Sequence, residues 1–174
     1  MKVILLYVAS LDGKITKWNH DNIHEWTSEE DTQHFQQIRD NSKLIVMGSN
    51  TFNLVHPTPT EGMLRVIMTK TPQKYHDLSV PGQITFTNET PTTLVQRMTQ
   101  EGFEQLTLVS GPQLTTAFLK EQLIDEIWIT IEPKIFGQGT ALIGQEKFDI
   151  SLELLTIKKL NKQGTLLLQY KVLK

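Results

Sequence analysis

The sequence predicts an α/β protein, in which a mostly parallel sheet lies between helices and is closed at one edge by an antiparallel C-terminal hairpin. Three observations predict it. Apolar, β-prone runs such as 2–8 (KVILLYV) and 43–47 (KLIVM) lack polar alternation, as central strands buried on both faces do. Stretches of helical periodicity separate these runs, which gives the strand–helix–strand order of a layered sandwich. The end of the chain, 152–160 and 165–173, reads as two strands joined by Asn161-Lys162-Gln163-Gly164.

The elements follow in order. Residues 2–8 form the first strand, and 17–26 are polar and irregular. Thr27 with Glu30 three residues on is a capping box that opens a helix, with Phe35 and Ile38 as its apolar stripe. The second strand, 43–47, runs directly into Gly48-Ser49-Asn50-Thr51-Phe52. A loop with Pro57 and Pro59 leads to a third strand at 64–69 and a short fourth at 83–87. Pro91 opens a helix to about 101, with Leu94, Val95 and Met98 on one face. The strand 105–109 passes through Ser110-Gly111-Pro112 into a helix that ends near Lys120. The strand 124–132 precedes a loop containing Gly137 and Gly139, and the hairpin closes the chain. No repeat, low-complexity segment or linker interrupts the pattern, so residues 1–174 are expected to form one domain.

Composition narrows the function. The 174 residues include 39% apolar and 21% charged residues, the balance of a soluble globular chain. A net charge of −2, from 17 basic and 19 acidic residues, provides no basic stripe for nucleic acid. A small molecule is the expected partner. There is no cysteine, which excludes disulfides, thiolate metal sites and cysteine nucleophiles. The N-terminal apolar run is too short for a membrane span, and Asp12-Gly13-Lys14 interrupts it too early for a signal peptide. A cytoplasmic location is expected, where the Asn88-Glu89-Thr90 sequon is inert. The histidines, at 20, 24, 34, 56 and 76, show no ligand spacing, and no metal is expected.

Ligands of open α/β sheets bind beyond the carboxyl ends of the strands. The residues there are Ser10, Asp12, Gly13 and Lys14; Gly48, Ser49 and Thr51; Thr69, Lys70 and Thr71; Ser110, Gly111 and Pro112; and Pro133 with Gly137-Gln138-Gly139. Two of these turns have the form of phosphate cradles, because small residues lead straight into helix N-termini at Gly48–Thr51 and at 110–114. Lys70 could meet a further phosphate as a point charge. A tight turn and a solvated lysine are the plain alternatives. Neither a Gly-x-Gly-x-x-Gly nor a Walker lysine motif is present, and no Gly-x-Ser-x-Gly marks a hydrolase.

Four stretches together resemble the RibD C-terminal-domain family, the reductase domain of bacterial riboflavin biosynthesis, within the dihydrofolate-reductase-like superfamily. They are SLDGKIT at 10–16, WTS at 26–28, IRDNSKLIVMGSNTF at 38–52, and LVSGPQLTTAFLKEQLIDEIWITIEPKIFGQGTALI at 108–143. The last is long and specific, and together they span most of the chain in order. The resemblance implies a dihydrofolate-reductase-like three-layer sandwich with a central eight-stranded sheet, and NADPH as cofactor. It implies cofactor-phosphate contacts from Gly48, Ser49 and Thr51 and from Ser110, Gly111, Pro112, Gln113 and Leu114. Thr69 and Lys70 would lie near the adenosine 2′-phosphate. Ala9, Ile15 and Gly137 would lie near the nicotinamide. Ser10, Gly13 and Trp26 would line the substrate side, joined by Arg65 from the segment that holds a phosphorylated chain in the family. Catalytic candidates are Asp12, Lys14 and Glu132. Of these, Glu132 is expected to end its strand in solvent, while the Asp125-Glu126 pair is expected to pair locally. A homodimer is also implied, and Trp128, Ile129 and Ile131 would suit either core or interface.

The chain departs from the family pattern in two places. The region NLVHPTPTEGMLR lacks the acidic pair of Asp-Asp-Pro-x-Leu-x-x-Arg, and the glycine pair is Ser110-Gly111, where serine lacks glycine's freedom at positive φ. A deaminase activity is not expected, because no Cys-x-x-Cys zinc signature exists. The expected substrate is a small heterocycle such as 5-amino-6-(5-phosphoribosylamino)uracil. Another pterin-like or carbonyl substrate, or a non-catalytic NADPH-binding regulatory module, stays open. A purely structural interaction protein would bind no dinucleotide. Dihydrofolate reductase itself is not indicated, since Asp31, Gln33, His34 and Phe35 show no evident pterin-pocket spacing.

Overall fold

The computed structural model describes residues 1–18 and 25–174. Its elements are β1 (Lys2–Ser10), α1 (Glu29–Asp40), β2 (Leu44–Gly48), α2 (Ser49–Val55), β3 (Leu64–Met68), a 3₁₀ helix (Pro72–Leu78), β4 (Ile84–Thr87), α3 (Pro91–Gln100), β5 (Gln105–Leu108), α4 (Pro112–Lys120), β6 (Glu126–Glu132), β7 (Leu152–Lys159) and β8 (Leu166–Val172). The eight strands form one sheet in the order β4-β3-β2-β5-β1-β6-β8-β7. Pairing is parallel from β4 to β6 and antiparallel at β6–β8 and β8–β7. This is the α/β architecture that the sequence predicts.

The central strands are apolar on both faces because both faces are covered. On one face Val3, Leu5, Val46, Val66, Leu106 and Leu108 pack with Leu94 and Met98 of α3 and Phe118 and Leu119 of α4. On the other face Ile45, Met47, Ile67 and Ile84 pack with Phe52 of α2 and Met63. The C-terminal end of α1 joins this second face, where the Ser42 and Thr107 hydroxyls lie 3.0 Å apart. After β6, Phe148 and Ile150 return to the first core.

One local expectation changes, and two features are added. The N-cap of α1 is Ser28, whose Oγ accepts from the Asp31 amide, so the cap is one residue later than the expected Thr27, and the Ser28 amide donates to Glu132 Oε1. The 3₁₀ helix opens on Pro72, which needs no amide partner there. Trp128, Ile129 and Ile131 lie on β6, an interior strand between β1 and β8, and are part of the sheet's body rather than its edge. Asp125 and Glu126 do pair locally, Asp125 with the Val3 amide and Lys174, Glu126 with Lys2. No helix among the described residues is long and apolar enough to cross a membrane.

Phe118 is fully buried between α4 and the sheet. Phe118→Ala should cost about 3–5 kcal/mol, read as a lower urea midpoint with an unchanged slope.

Candidate active site

The connections out of β2 and β5 fix where a crevice opens. These strands are neighbours, yet α2 carries the chain outward to β3 over one face, while α4 carries it over the other face toward β6. Their carboxyl ends therefore diverge at a topological switch point, the usual ligand position in such sheets. The helices that start there are capped by Gly48 and Gly111, neither of which provides a side-chain hydrogen bond. By contrast, Ser28 caps α1 and Thr90 caps α3 with side-chain oxygens. Amides of the first turn of α4 are thus left for another acceptor. The two turns adjoin, since a Cβ on Gly48 would stand 4.0 Å from Leu114 Cδ2. A Cβ on Gly111 would meet nothing within 4 Å. The seven-residue α2 supplies hydroxyls, Ser49 and Thr51, more than dipole.

Ser110 does not obstruct this cradle. It is buried, its Oγ lies 2.8 Å from Thr115 Oγ1, and its φ is not positive, so serine carries no strain there. Pro112 opens α4, Gln113 is exposed and Leu114 half-buried. At the end of β3, Thr69 is half-buried and accepts from the Thr71 amide at 3.3 Å. Lys70 beside it is exposed and makes no ion pair among the described residues.

The turn after β1 is held by one carboxylate. Ser10 ends the strand buried, and its Oγ donates to Asp12 Oδ1 at 2.6 Å while accepting from the Lys14 amide at 3.0 Å. Gly13 turns the chain at φ +74° and donates to the Ser10 carbonyl at 2.9 Å. Asp12 also accepts from the Phe136 and Gly137 amides, at 3.1 and 2.8 Å. The Ser10 hydroxyl, then these amides, hold its pKa at about 2. At neutral pH Asp12 is a carboxylate and donates no proton. The chain beyond it is zipped to the 134–141 loop. Leu11 donates to the Lys134 carbonyl, Ile15 to the Thr140 carbonyl, and Thr140 to Thr16 Oγ1. Gly139 is required here, because a Cβ would fall 2.2 Å from the Thr16 carbonyl oxygen. Ala9 is buried, Ile15 packs on the core, and Lys14 is half-buried in an isolated bridge with Ala141.

Trp26 and Glu132 form the third corner. Trp26 is 2% exposed and stands edge-on to Phe136, with ring centroids 5.2 Å apart. Its carbonyl accepts from Lys134 Nζ at 2.8 Å, and its buried Nε1 has no partner among the described residues. Glu132 is not in solvent as expected but 2% exposed. Its Oε1 accepts from the Ser28 amide and its Oε2 from Thr165 Oγ1, both at 2.7 Å. The start of α1 and the residue preceding β8 close over it.

The structure gathers Ser10, Asp12, Gly13, Lys14, Trp26, Glu132 and Gly137 at one edge. It does not bring Arg65 there. Arg65 stands level with Ile45, Thr107 and Ile4 in the sheet, and Ile4 is six residues before Ser10, roughly 20 Å along the strand. Arg65 is 4% exposed and donates to Thr60 Oγ1. Sequence reasoning missed Ser28, Lys134 and Thr165, and passed over Asp31, which is buried in the first turn of α1. Only Ser28 had a local signal, as a hydroxyl before an acidic turn. His20 and His24 lie outside the described residues, and among the described residues no acidic or histidine cluster could hold a metal.

Comparison with known proteins adds the following. The family model described as the RibD C-terminal domain matches residues 1–166. YwjB of Bacillus subtilis strain 168, an uncharacterized protein, is 27% identical over 160 residues, which is 88% of each chain. A pyrimidine reductase-like protein of Corynebacterium diphtheriae superposes with a TM-score of 0.82 at 16% identity, over 99% of this chain and 92% of that one. RibD of Acinetobacter baumannii superposes with a TM-score of 0.79 at 21% identity, over 99% of this chain but 58% of RibD. The two structural likenesses, at these identities, establish the fold.

Asp12→Asn should lower the thermal midpoint at pH 7. A carboxyl whose folded pKa is depressed stabilises fully above its unfolded pKa of about 4 and loses that contribution as pH falls through about 2. The midpoints of wild type and variant should therefore converge between about pH 4 and about pH 2.

Proposed function

The chain belongs to the RibD C-terminal domain family, and from that premise we propose that it is a reductase of a small pyrimidine-like heterocycle that uses NADPH. The observation that carries this reading is the pair of adjoining glycine-capped turns, Gly48 and Gly111, at the switch point between β2 and β5. A dinucleotide's pyrophosphate is the ligand such a cradle fits. Bound NADPH would supply the hydride.

The remaining roles fall to this chain's residues. The amides at the start of α4, from Gly111 through Gln113 and Leu114, with Ser49 and Thr51, hold the phosphates. Thr69 and Lys70 meet the 2′-phosphate, and the exposed ammonium of Lys70 is what distinguishes NADPH from NADH. Ala9, Ile15 and Gly137 border the nicotinamide. Ser10, Gly13 and Trp26 shape the substrate side, and Lys14 offers an ammonium to a substrate oxygen. Asp12 positions the 10–14 turn and Glu132 positions α1. Of the three arginines, Arg39 is spent on Asp40, Arg97 on Glu89 and Glu101, and Arg65 stands at the other end of the sheet. A substrate phosphate is left to lysine or to backbone amides. This favours a heterocycle less dependent on a phosphoribosyl chain than 5-amino-6-(5-phosphoribosylamino)uracil, ahead of pterin-like and carbonyl compounds.

One observation favours a second reading, a nucleotide-binding module without turnover. Both Asp12 and Glu132 have their carboxylate oxygens engaged in structural hydrogen bonds. Loss of NADPH absorbance that depends on an added heterocycle separates the two.

Titration of tryptophan fluorescence tests the cofactor. NADPH should bind at least about tenfold tighter than NADH, and Lys70→Ala should remove most of that difference. Gly111→Asp should weaken NADPH by more than about tenfold while leaving the fold as stable or a few tenths of a kcal/mol more so, because aspartate caps the helix it blocks. Wild-type protein that binds neither nucleotide would end the reading.

A further inference from the structure

The turn between β7 and β8 carries hydrogen bonds that no hairpin requires. Asn161 opens it, and its Oδ1 accepts from the Gly164 and Thr165 amides, both at 3.0 Å. Those two bonds make the turn, and aspartate would make them equally well. The side-chain nitrogen is surplus to it. Backbone N–H groups can only donate, so the atom facing them is the oxygen and the other is the nitrogen. Both of its hydrogens are engaged away from the turn's own backbone. One goes to Glu30 Oε2 of α1 at 3.1 Å and the other to Thr165 Oγ1 at 2.9 Å.

Thr165 repeats the pattern. It is 0% exposed and directly precedes β8, where valine would fill the same space. Its hydroxyl accepts from Asn161, so its single hydrogen is left for Glu132 Oε2, at 2.7 Å. Glu132 Oε1 accepts in turn from the Ser28 amide. The bonds close a ring that runs from Asn161 through Thr165, Glu132 and Ser28 and returns by Glu30 along the first turn of α1. No cation pairs with Glu132 among the described residues, so the two donors are what hold its buried carboxylate in place.

The ring steadies Trp26, which lies just before Ser28 in the chain. The indole N–H of Trp26 meets no acceptor among the described residues, so no hydrogen bond of its own side chain fixes it. Its place is set by the edge-on contact with Phe136, by Lys134 on its carbonyl and by the anchored backbone at Ser28. We infer that Asn161 and Thr165 are positioning residues: through Glu132 and the Ser28 amide, the β7–β8 turn sets Trp26 on the substrate side of the site. The word substrate here rests on the reductase reading, whereas the coupling of the turn to Trp26 holds for any ligand of that edge.

Nitrogen–proton correlation NMR of the full chain tests the inference, with the Ser28 amide and the Trp26 indole as reporters. Thr165→Val leaves Glu132 Oε2 without a donor. The Ser28 amide should then exchange with solvent about tenfold faster, and the Trp26 indole resonance should move. Thr165→Ser keeps the hydroxyl and should leave both reporters as in wild type, whereas a packing role for Thr165 gives the opposite order. Asn161→Asp keeps the acceptor that makes the turn and removes both donors, so it should act like Thr165→Val. Lys162→Ala, at the exposed tip of the same turn, should change neither reporter. NADPH affinity in each variant should stay within about twofold of wild type, since the cradle lies between β2 and β5. Unmoved reporters in Thr165→Val and Asn161→Asp, a Thr165→Ser that behaves like Thr165→Val, or a loss of NADPH affinity larger than this would each overturn the inference. A wild type that binds no NADPH would end the cofactor reading and leave the two reporters to decide the coupling.

Discussion

Parallel pairing of β1 with both β5 and β6 forces the chain to cross back over the sheet between consecutive strands. The helices and loops that make these crossings must lie on the faces, and they bury them. One consequence is the pair of apolar cores, since no parallel strand has a wet side. The other is chemical. Every parallel strand ends at the same edge, so the polar residues that follow β1, β2, β3, β5 and β6 are collected there from positions far apart in the chain. The candidate site follows from how the sheet is wound, and the connections fix its place between β2 and β5.

Two carboxylates make that edge a rigid object. Asp12 ties the turn after β1 to the loop after β6 through the Phe136 and Gly137 amides. Glu132 ties the end of β6 to the start of α1 and, through Thr165, to the antiparallel hairpin. A buried carboxylate is costly unless its oxygens are satisfied, and Glu132 is satisfied by an amide from one layer and a hydroxyl from another. The parallel and antiparallel parts of the sheet and the helix layer are joined at this residue. The helix ends divide in the same way. Where a helix start serves only the fold, a Ser or Thr caps it. Where it opens on the switch point, the cap is glycine and the amides remain available.

Much of the fold was legible because its signals are local. Apolar runs mark central strands whatever their neighbours, Pro91 and Pro112 mark helix starts, and Asn161–Gly164 marks the hairpin. The site was partly legible for the same reason: small residues after a strand and before a helix can be found by reading along the chain. Thr27 and Ser28 show the limit. Either hydroxyl can cap α1, and Ser28 does so in a structure where its amide also reaches Glu132. Glu132, read in isolation, is a polar residue at a strand end, and what lies over it comes from residues 28 and 165. Arg65 has the composition of a substrate ligand but stands at the amino end of its strand.

The sequence by itself determined the type and order of the elements, the apolar faces and the small-residue turns, because backbone conformation and periodicity depend on residues within a few positions of one another. Only the tertiary structure decided the neighbours. It placed β5 between β1 and β2, put β8 inside β7, buried Glu132, removed Arg65 from the site and left β7 bare. Those outcomes depend on pairings between residues distant in the chain, from tens of positions apart, as for Ile45 with Thr107, to more than a hundred, as for Ser28 with Glu132 and Asp12 with Gly137, and no local pattern encodes which distant partner a residue will meet.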